Sequence, residues 1–433
     1  MNRTGLVWFR NDLRTLDNTS LWKAVSENDK VIAVFCFDPR LFNQDQYGFR
    51  KTEKYRAKFL IESVVELQEN LSKLNISLLI YHAKPESIFK SIIENNNVRT
   101  VYLQNEWTRD EVSVLNALKN IVHNEGVEWV ESYDQFLFHP DDIPFDIKEL
   151  PRVFTVFRKQ LEKLAVIRKE VFVSPLTLSN KIENNTSVPS LFDLGLQEFD
   201  IDSRTAFPFK GGENQGMKRI KEYFWKTKNL SRYKKTRNGL VGEMYSSKLS
   251  PWLANGSISA RTIYYNIRKY EQEIEKNQST YWLVFELIWR DFFKYVSLKH
   301  GKDLFRKEGI LNKNYSWSLD IQSINRWIQG ETNEPFVNAN MIELNNTGWM
   351  SNRGRQNVAS YFAKKLKLDW RIGAAYFESL LMDYDVHSNY GNWQYVAGVG
   401  NDPRDRKFNV KLQSERYDPQ QKFQGIWLQP TLF

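Results

Sequence analysis

The sequence predicts two domains of different class, an α/β domain followed by an all-α domain. Three observations support this prediction. A chain of 433 residues is too long for one typical hydrophobic core. Up to about residue 131, short apolar runs alternate with amphipathic helical stretches, which indicates a parallel sheet with helices on both faces. From Phe207 onward, nearly every pattern has the period of a helix.

The elements of the first domain, which we place at residues 1–131, follow from these runs. Apolar runs rich in Val, Ile and aromatic residues predict strands at Leu6–Phe9, Val31–Phe37, Ser77–Tyr81, Thr100–Leu103 and Glu128–Glu131. Amphipathic stretches between them predict helices at Thr19–Ser26, Tyr55–Leu74, Pro85–Asn95 and Thr108–Glu125. No GxGxxG pattern follows the first strand, so an ordinary dinucleotide site is not indicated there.

A connector and a helical domain complete the chain. Repeated prolines interrupt residues 132–205, which we predict to be a connector with one helix at Phe154–Leu164. The second domain spans residues 206–433. Its predicted helices include Gln215–Thr227, Ala260–Lys276, Thr280–His300, Ile321–Gln329, Arg355–Leu366 and Ile372–Leu381, and a loop is predicted from Asp383 to Asn389.

Charge and aromatic content distinguish the two halves of the chain. Residues 206–433 carry a net charge of +13, and residues 1–205 carry −4. A basic domain with many aromatic residues is typical of nucleic-acid binding, although a solvated basic surface explains the charge equally simply. The single cysteine, Cys36, excludes an internal disulfide and a multi-cysteine metal site, and we expect no metal. Without an apolar run of about 18 residues, no membrane span is expected.

The run Glu286-Leu-Ile-Trp-Arg-Asp291 places three functional side chains on one helical face. Glu286, Trp289 and Arg290 are spaced i, i+3 and i+4. A carboxylate, an indole and a guanidinium suit a flipped base, which would stack on Trp289 and hydrogen-bond to Glu286 while its phosphate pairs with Arg290. By periodicity alone, a surface ion pair beside a core tryptophan is the stronger interpretation.

Two loops carry further polar groups. The run Tyr245-Ser-Ser-Lys-Leu-Ser-Pro251 precedes a predicted helix start. Its hydroxyls, backbone N–H groups and cation suit a pyrophosphate, but they suit an ordinary helix cap equally well. Asp383 and Asp385 stand in a predicted loop, where a solvated turn would explain them without any ligand.

Together these motifs resemble the photolyase/cryptochrome family, and more closely its DASH cryptochrome branch. The resemblance rests on Trp8-Phe-Arg-Asn-Asp-Leu-Arg14, on the Glu286 run and on residues 347–394, and it extends over essentially the whole chain. It implies a photolyase-type antenna domain followed by a helical FAD-binding domain. It also implies a lyase in which light-excited, reduced FAD transfers an electron to a cyclobutane pyrimidine dimer in DNA.

The resemblance also implies roles for individual residues. Glu286 and Trp289 would contact the damaged pyrimidines, and Arg290 and Arg353 would hold DNA phosphate. The implied FAD contacts are Tyr233, Ser246, Ser247, Lys248, Leu249, Ser250, Asn352, Arg355, Asp383, Asp385 and Asn389, and Asn352 would also face the DNA. Arg355 and Asp383 would form an ion pair beside the flavin ring. Asn389 would face flavin N5, where an amide cannot act as an acid, which favours the anionic or fully reduced flavin.

Three tryptophans match the chain that feeds electrons to the flavin in this family: Trp393, Trp370 and Trp317. They lie in the contexts Gly-Asn-Trp-Gln, Leu-Asp-Trp-Arg and Tyr-Ser-Trp-Ser. The alternative is ordinary core packing, which is the usual role of tryptophan and is plausible in a chain with 14 of them.

Two positions depart from duplex-repairing photolyases. Gln356 stands where those enzymes usually have Met, and Tyr395 stands where they have a second stacking Trp; both are typical of the DASH branch. A more polar pocket stabilises a flipped lesion less well, so it offsets less of the few kcal/mol that unpairing and unstacking cost. We therefore expect a preference for single-stranded DNA.

The remaining expectations concern the antenna and the cell. A methenyltetrahydrofolate antenna is implied, with Glu106 of Asn105-Glu106-Trp107 as the candidate ligand of the pterin amino group. Single-stranded DNA is the expected partner, with RNA as a further ligand, in a monomeric cytoplasmic protein. Two alternatives remain open: a blue-light photoreceptor or regulator that uses the same FAD and tryptophans without efficient repair, and a non-photochemical FAD-bearing protein that binds nucleic acid.

Overall fold

A computed structural model describes residues 3–402 and 404–429. Its N-terminal part is a sheet of parallel strands in the order β3-β2-β1-β4-β5. The strands are β1 (Thr4–Phe9), β2 (Lys30–Cys36), β3 (Leu78–Tyr81), β4 (Val98–Gln104) and β5 (Glu128–Ser132). Each predicted strand lies at the predicted place, and the predicted α/β class is confirmed.

Both faces of the sheet are covered by helices. The covering helices are α1 (Thr19–Glu27), α2 (Lys54–Lys73), α3 (Pro85–Asn96) and α4 (Arg109–Asn124). Alternate residues of β1 point to opposite sides, so Val7 packs with α1 and α2 while Trp8 packs with α3 and α4. The strand order reverses between β1 and β4, and a crevice therefore opens at the carboxyl ends of these two strands.

The segment between the two domains is mostly irregular and contains α5 (Phe154–Leu164), as predicted. It is nevertheless tied to the sheet. The Asn180 side chain exchanges hydrogen bonds with the backbone N–H and C=O of Val31 at 2.8 and 2.9 Å. The connector is therefore held against the first domain by hydrogen bonds to β2.

The C-terminal part is predominantly helical, which confirms the predicted class. Its helices are α6 (Glu213–Lys221), α7 (Tyr233–Thr236), α8 (Ser250–Ala254), α9 (Ala260–Glu273), α10 (Gln278–His300), α11 (Ile321–Gln329), α12 (Pro335–Thr347), α13 (Asn352–Ser360), α14 (Trp370–Leu380), α15 (Val386–Ala397), α16 (Val410–Tyr417) and α17 (Lys422–Leu428). They enclose one continuous apolar core. Within the described residues, no helix is long and apolar enough to cross a membrane.

Three differences from the predicted elements have local causes. The predicted loop through Asn389 was wrong, because Asp385 caps α15 by accepting from the N–H groups of His387 and Ser388. The two predicted helices that start near residues 215 and 355 each end in a short π-helical segment, at Glu222–Lys226 and Tyr361–Lys365. Both predictions included these residues as ordinary helix, because a single wide turn changes the period of a helix only locally.

Buried charges join the two parts of the chain. Arg261 of α9 contacts Asp17 at 2.7 Å and Asp134 at 2.9 Å, and all three side chains are almost fully buried. Glu213 at the start of α6 accepts from the backbone N–H groups of Thr15 and Leu16. Because each group is paired, these contacts fix the orientation of the helical domain against the sheet.

Candidate functional site

A cavity of about 580 Å³ lies inside the helical domain and opens to the surface. Residues from α7, α8, α10, α13 and α15 line it together with the loops between them. The predicted site residues on its wall are Tyr233, Ser246, Ser247, Lys248, Leu249, Ser250, Glu286, Trp289, Arg290, Asn352, Arg353, Arg355, Gln356, Asp383, Asp385 and Tyr395. Residues as far apart in sequence as Tyr233 and Tyr395 therefore meet in one space, of a size that suits a large cofactor or ligand.

The loop Ser246–Ser250 forms one end of this cavity. A residue that the sequence analysis did not single out, Arg219, supports the loop from behind. Its guanidinium donates to the carbonyl oxygens of Ser247 at 3.1 Å and Ser246 at 3.3 Å. Since its side chain is almost fully buried, Arg219 fixes the path of the loop rather than reaching a ligand.

Lys248 differs from the expectation that its ammonium would face a pyrophosphate. The Nζ atom lies 3.4 Å from the ring centre of Tyr245 and 4.5 Å from that of Trp349. It has no hydrogen-bond partner among the described residues, and burial holds the pKa of the Lys248 ammonium well below its usual range. The side chain thus sits in an aromatic cage, and Lys248 can offer a phosphate its backbone more readily than its charge.

The predicted Arg355–Asp383 ion pair is present. Arg355 Nη2 lies 2.9 and 3.0 Å from the two carboxylate oxygens of Asp383, and its Nε donates to the carbonyl of Met350. Ser250 donates its hydroxyl to Asp383 at 2.7 Å. Asp383 therefore links the Ser246–Ser250 loop to α13, and these are two walls of the cavity.

A second buried carboxylate, Asp385, belongs to a cationic cluster. Lys294 Nζ lies 3.3 Å from Asp385 and Arg290 Nε lies 3.9 Å away. Despite its burial, Asp385 has a pKa below its ordinary value, with Lys294 as the main favourable cause, while burial lowers the pKa of Lys294 to about 8. The cluster maintains an ionised carboxylate at the cavity wall.

Two predicted ligands are turned away from the positions expected for them. Arg290 lines the cavity, but its guanidinium donates to the carbonyl oxygens of Gln135 and Leu253. Arg290 therefore links the connector to α8, and its guanidinium does not point toward the expected position of a DNA phosphate. Asn389 donates its amide to the carbonyl of Ala374 at 2.9 Å and does not line the cavity.

Helical geometry explains the position of Asn389. On α15, Ser388 and Asn392 are one turn apart and both reach the cavity. Asn389 lies between them in sequence and faces α14 instead. Ser388 was missed because it lay in the predicted loop Asp383–Asn389, whereas Asn392 was missed because no motif singled it out.

Glu286 and Trp289 line the same cavity, in a part that we call its mouth together with Gln356 and Tyr395. Glu286 forms an ion pair with Arg237 at 2.8 Å. Burial raises the pKa of Glu286, and Arg237 opposes this shift in part. One face of Trp289 is stacked on Phe154, with ring centres 3.6 Å apart, and Tyr395 stands perpendicular to it at 6.4 Å. A planar ligand would therefore meet an indole, a phenol and a carboxyl group together.

Gln356 is held by its neighbour on α13. Arg353 donates to the side-chain oxygen of Gln356 at 2.8 Å and to that of Asn238 at 3.2 Å, and its guanidinium lies 4.5 Å from the ring centre of Tyr417. Because the Gln356 oxygen accepts from Arg353, the amide presents its NH₂ group as the remaining hydrogen-bonding group. Arg353 thus orients Gln356 at the mouth of the cavity.

The three predicted tryptophans lie in order from the core to the surface. Trp393 and Trp370 are almost fully buried, whereas Trp317 is partly exposed. Gly373, one turn after Trp370 on α14, allows close approach, since a Cβ there would lie 2.2 Å from Trp393. Ser318 pairs with Leu368 in an isolated parallel bridge, which brings Trp317 beside the start of α14 and Trp370.

Glu106 lies in the crevice at the ends of β1 and β4. It forms a buried ion pair with Arg10 at 2.9 Å and accepts from Asn11 at 2.7 Å. A smaller cavity of about 200 Å³ opens nearby between the two domains, and its lining includes Arg109, Glu111 and Tyr384 but not Glu106. Glu106 therefore has protein partners of its own, and the carboxyl groups that line this second cavity belong to Asp45, Asp110, Glu111 and Glu378.

Two family models of known proteins match this chain. The family model for DNA photolyase matches residues 5–175, and that for the FAD-binding domain of DNA photolyase matches residues 282–432. A protein named cryptochrome DASH from Synechocystis sp. is 46% identical over 430 residues, which cover 98% of this chain and 87% of the relative. The chain belongs to the photolyase/cryptochrome family, in its cryptochrome DASH branch.

Further relatives and solved structures agree with this assignment. Cryptochrome DASH of Xenopus laevis is 45% identical over 434 residues, covering 99% of this chain and 83% of the relative. The crystal structure of a Synechocystis sp. cryptochrome superimposes with a TM-score of 0.93 at 45% identity, over 98% of this chain and 88% of that one. An archaeal photolyase from Sulfolobus tokodaii with two FAD molecules gives a TM-score of 0.79 at 28% identity, over 98% and 90%.

Proposed function

We propose that this protein is a light-driven lyase that uses FAD to split cyclobutane pyrimidine dimers, preferentially in single-stranded DNA. The main support for the proposal is that one cavity contains both sets of expected ligands. The residues expected to bind FAD and those expected to bind the lesion line one continuous cavity. A cofactor at the inner end and a base at the mouth would therefore be in contact, with no protein layer between them.

The residues of the inner end fit a flavin dinucleotide. The family model for the FAD-binding domain covers Arg355 and Asp383, whereas the Ser246–Ser250 loop precedes the matched residues 282–432. Serine residues and an ion pair line this end together, namely Ser246, Ser247 and Ser250 and the pair Arg355–Asp383. Hydroxyl groups, backbone N–H groups and a guanidinium are donors that suit a pyrophosphate and a flavin ring. Ser246–Ser250 would hold the phosphates, and Arg355 with Asp383 would lie beside the flavin ring.

Bound FAD would absorb the light and supply the electron, so the protein contributes position and electrostatics. Trp289 and Tyr395 would hold the flipped pyrimidines between aromatic surfaces. Glu286 would hydrogen-bond to a pyrimidine base; burial raises the pKa of its carboxyl group, and Arg237 opposes this shift. Arg237 keeps that side chain oriented toward the cavity. Trp393, Trp370 and Trp317 would return the flavin to its reduced state after oxidation.

The preference for single strands follows from the mouth of the cavity. Gln356 offers an NH₂ donor where an apolar side chain would offer packing, and Arg353 fixes it in place. Tyr395 covers less area than a second indole would. The pocket thus gains less from a flipped lesion, and a substrate that needs no unpairing is favoured.

We also propose that the second cavity holds a methenyltetrahydrofolate antenna. Its 200 Å³ would accept the pterin end only, with Glu111 in the role we had expected of Glu106. Gentle purification followed by folate-specific absorption and mass analysis tests this. Loss of folate in Glu111→Gln with retention in Glu106→Gln supports the assignment, and the reverse pattern refutes it.

The same proposal includes a monomer in the cytoplasm, with single-stranded DNA as the main partner and RNA as a weaker one. Light scattering of the purified holoprotein tests whether it is a monomer. Binding to matched DNA and RNA single strands at several salt concentrations tests the preference for DNA. Binding to either strand should weaken as salt rises, because the helical domain is strongly basic.

The decisive experiment illuminates the reduced holoprotein with a thymine-dimer oligonucleotide, single-stranded and in duplex, and follows loss of the dimer. Repair of the single strand with little in the duplex supports the whole proposal. Equal repair of both keeps the lyase and refutes the argument from Gln356 and Tyr395. Normal flavin photoreduction without repair favours the photoreceptor alternative, because the tryptophans and FAD would then serve signalling alone.

A further inference from the structure

Trp317, the outermost of the three tryptophans, has no protein group among the described residues that could take its proton. Its indole Nε1 is buried and finds no hydrogen-bond acceptor among the described residues. An indole that loses an electron becomes a cation, and it is trapped as a neutral radical only when its N–H proton leaves. A positive charge that arrives at Trp317 is therefore free to return along the same path.

Tyr315, two residues earlier, provides what Trp317 lacks. The two rings are in edge contact, with centres 5.6 Å apart and planes at 73°. Tyr315 is 37% exposed to solvent, and its hydroxyl lies 3.5 Å from the Oδ2 atom of Asp405. Lys364 pairs with Asp405 and also lies 5.3 Å from the centre of the Tyr315 ring, so the carboxylate is held beside the phenol.

We propose that Tyr315 is the terminal electron donor of the tryptophan relay and that Asp405 accepts its proton. The inference rests on the proposed function, because the light-driven relay must deliver the charge to Trp317. One electron passes from Tyr315 to the oxidised Trp317 and restores the neutral indole. The O–H bond of Tyr315 breaks, the proton binds Asp405 Oδ2, and a neutral tyrosyl radical remains.

The overall change is balanced. One electron has moved from Tyr315 through the tryptophans to light-excited flavin, and one proton has moved from Tyr315 to Asp405 and onward to water. Because the radical is neutral and exposed, an external thiol or other one-electron reductant can restore the tyrosine. Return of the electron from the flavin would require the proton to come back at the same time, which slows recombination.

Two measurements on holoprotein with oxidised FAD test the proposal. Transient absorption after a laser flash follows the radicals in time, and electron paramagnetic resonance of protein labelled with ring-deuterated tyrosine identifies a tyrosyl radical. The wild type should show a tryptophan radical that decays as a tyrosyl radical forms, more slowly in heavy water. In Tyr315→Phe the tyrosyl signal should vanish, and recombination should accelerate on the order of tenfold, which corresponds to about 1.4 kcal/mol in barrier. Asp405→Asn should slow formation of the tyrosyl radical.

A matched control is Tyr281→Phe. Tyr281 is 36% exposed and its hydroxyl also faces a carboxylate, that of Glu162 at 2.7 Å, but it has no tryptophan of the relay beside it. This variant should behave as the wild type. A tyrosyl signal that persists in Tyr315→Phe overturns the assignment; Tyr390, 6.2 Å from Trp370, would then be its source. Tryptophan radicals without any tyrosyl radical refute this inference alone, whereas absence of both also refutes the proposed relay.

Discussion

The Arg355–Asp383 ion pair offers the sharpest test of where FAD binds. Asp383→Asn keeps the shape of the side chain and removes its charge. Asp383 is 3% exposed and Arg355 is 24% exposed, so the pair is only partly screened by solvent. Hydrogen bonds to charged groups contribute about 1.5–3 kcal/mol each when buried, and with allowance for the exposure of Arg355 we expect a loss of about 2 kcal/mol.

This loss should appear in FAD affinity, because Asp383 connects Arg355 with Ser250 on the opposite wall of the cavity. At about 1.4 kcal/mol per factor of ten, the dissociation constant for FAD should rise on the order of 30-fold. Fluorescence titration of the apoprotein with FAD measures this. Thermal unfolding of the apoprotein separates the effect on binding from the effect on stability.

Asp369→Asn provides a control of matched chemistry. Asp369 is also 3% exposed and is paired with an arginine, Arg371, that is 28% exposed, but it lies outside the main cavity. Both variants should lose stability, and only Asp383→Asn should lose FAD affinity. If the two variants bind FAD equally well, the placement of the flavin ring beside Arg355 is wrong.

Three further predictions follow from other parts of the site. Trp393→Phe should abolish flavin photoreduction, whereas Trp327→Phe, at an equally buried tryptophan 6.3 Å away, should retain it; equal loss in both would refute the relay. Gln356→Met should raise the ratio of duplex repair to single-strand repair by about tenfold, because an added apolar contact contributes about 1.5 kcal/mol. An unchanged ratio would contradict the argument that Gln356 causes the single-strand preference. Burial raises the pKa of Asp291 from 3.8 to about 7, so between these pH values the folded protein holds a proton that the unfolded chain has released, and the free energy of unfolding should fall as the pH rises. Denaturant unfolding of Asp291→Asn should show a smaller fall over this range. An equal fall in the variant would show that Asp291 is not the group responsible.

The sequence predicted the parts of the molecule that are determined locally. The strands of the first domain appear where apolar runs indicated them, because a parallel sheet buried on both faces requires such runs. Most of the predicted ligands line one cavity because they belong to compact motifs whose residues fold together. Helix α5 has the predicted bounds, Phe154–Leu164.

Side-chain directions that depend on distant residues could not be predicted in this way. Lys248 turns into a cage whose far wall, Trp349, lies 101 positions along the chain, and no local pattern indicates that contact. Arg290 is committed to carbonyl groups of the connector and of α8. Asn389 donates to Ala374 of α14, whereas the expectation that it would face flavin N5 came from the family resemblance and not from any local pattern.

The central claim is that flavin and lesion occupy two ends of one cavity, and the excited-state lifetime of reduced FAD tests it most directly. The lifetime should shorten when a dimer-containing single strand binds, because electron transfer to the dimer competes with fluorescence. An undamaged strand of the same sequence should leave the lifetime unchanged. In the variant Trp289→Ala, which should no longer bind the lesion, the damaged strand should also leave the lifetime unchanged. An unaltered lifetime with the damaged strand bound to the wild type would contradict the account.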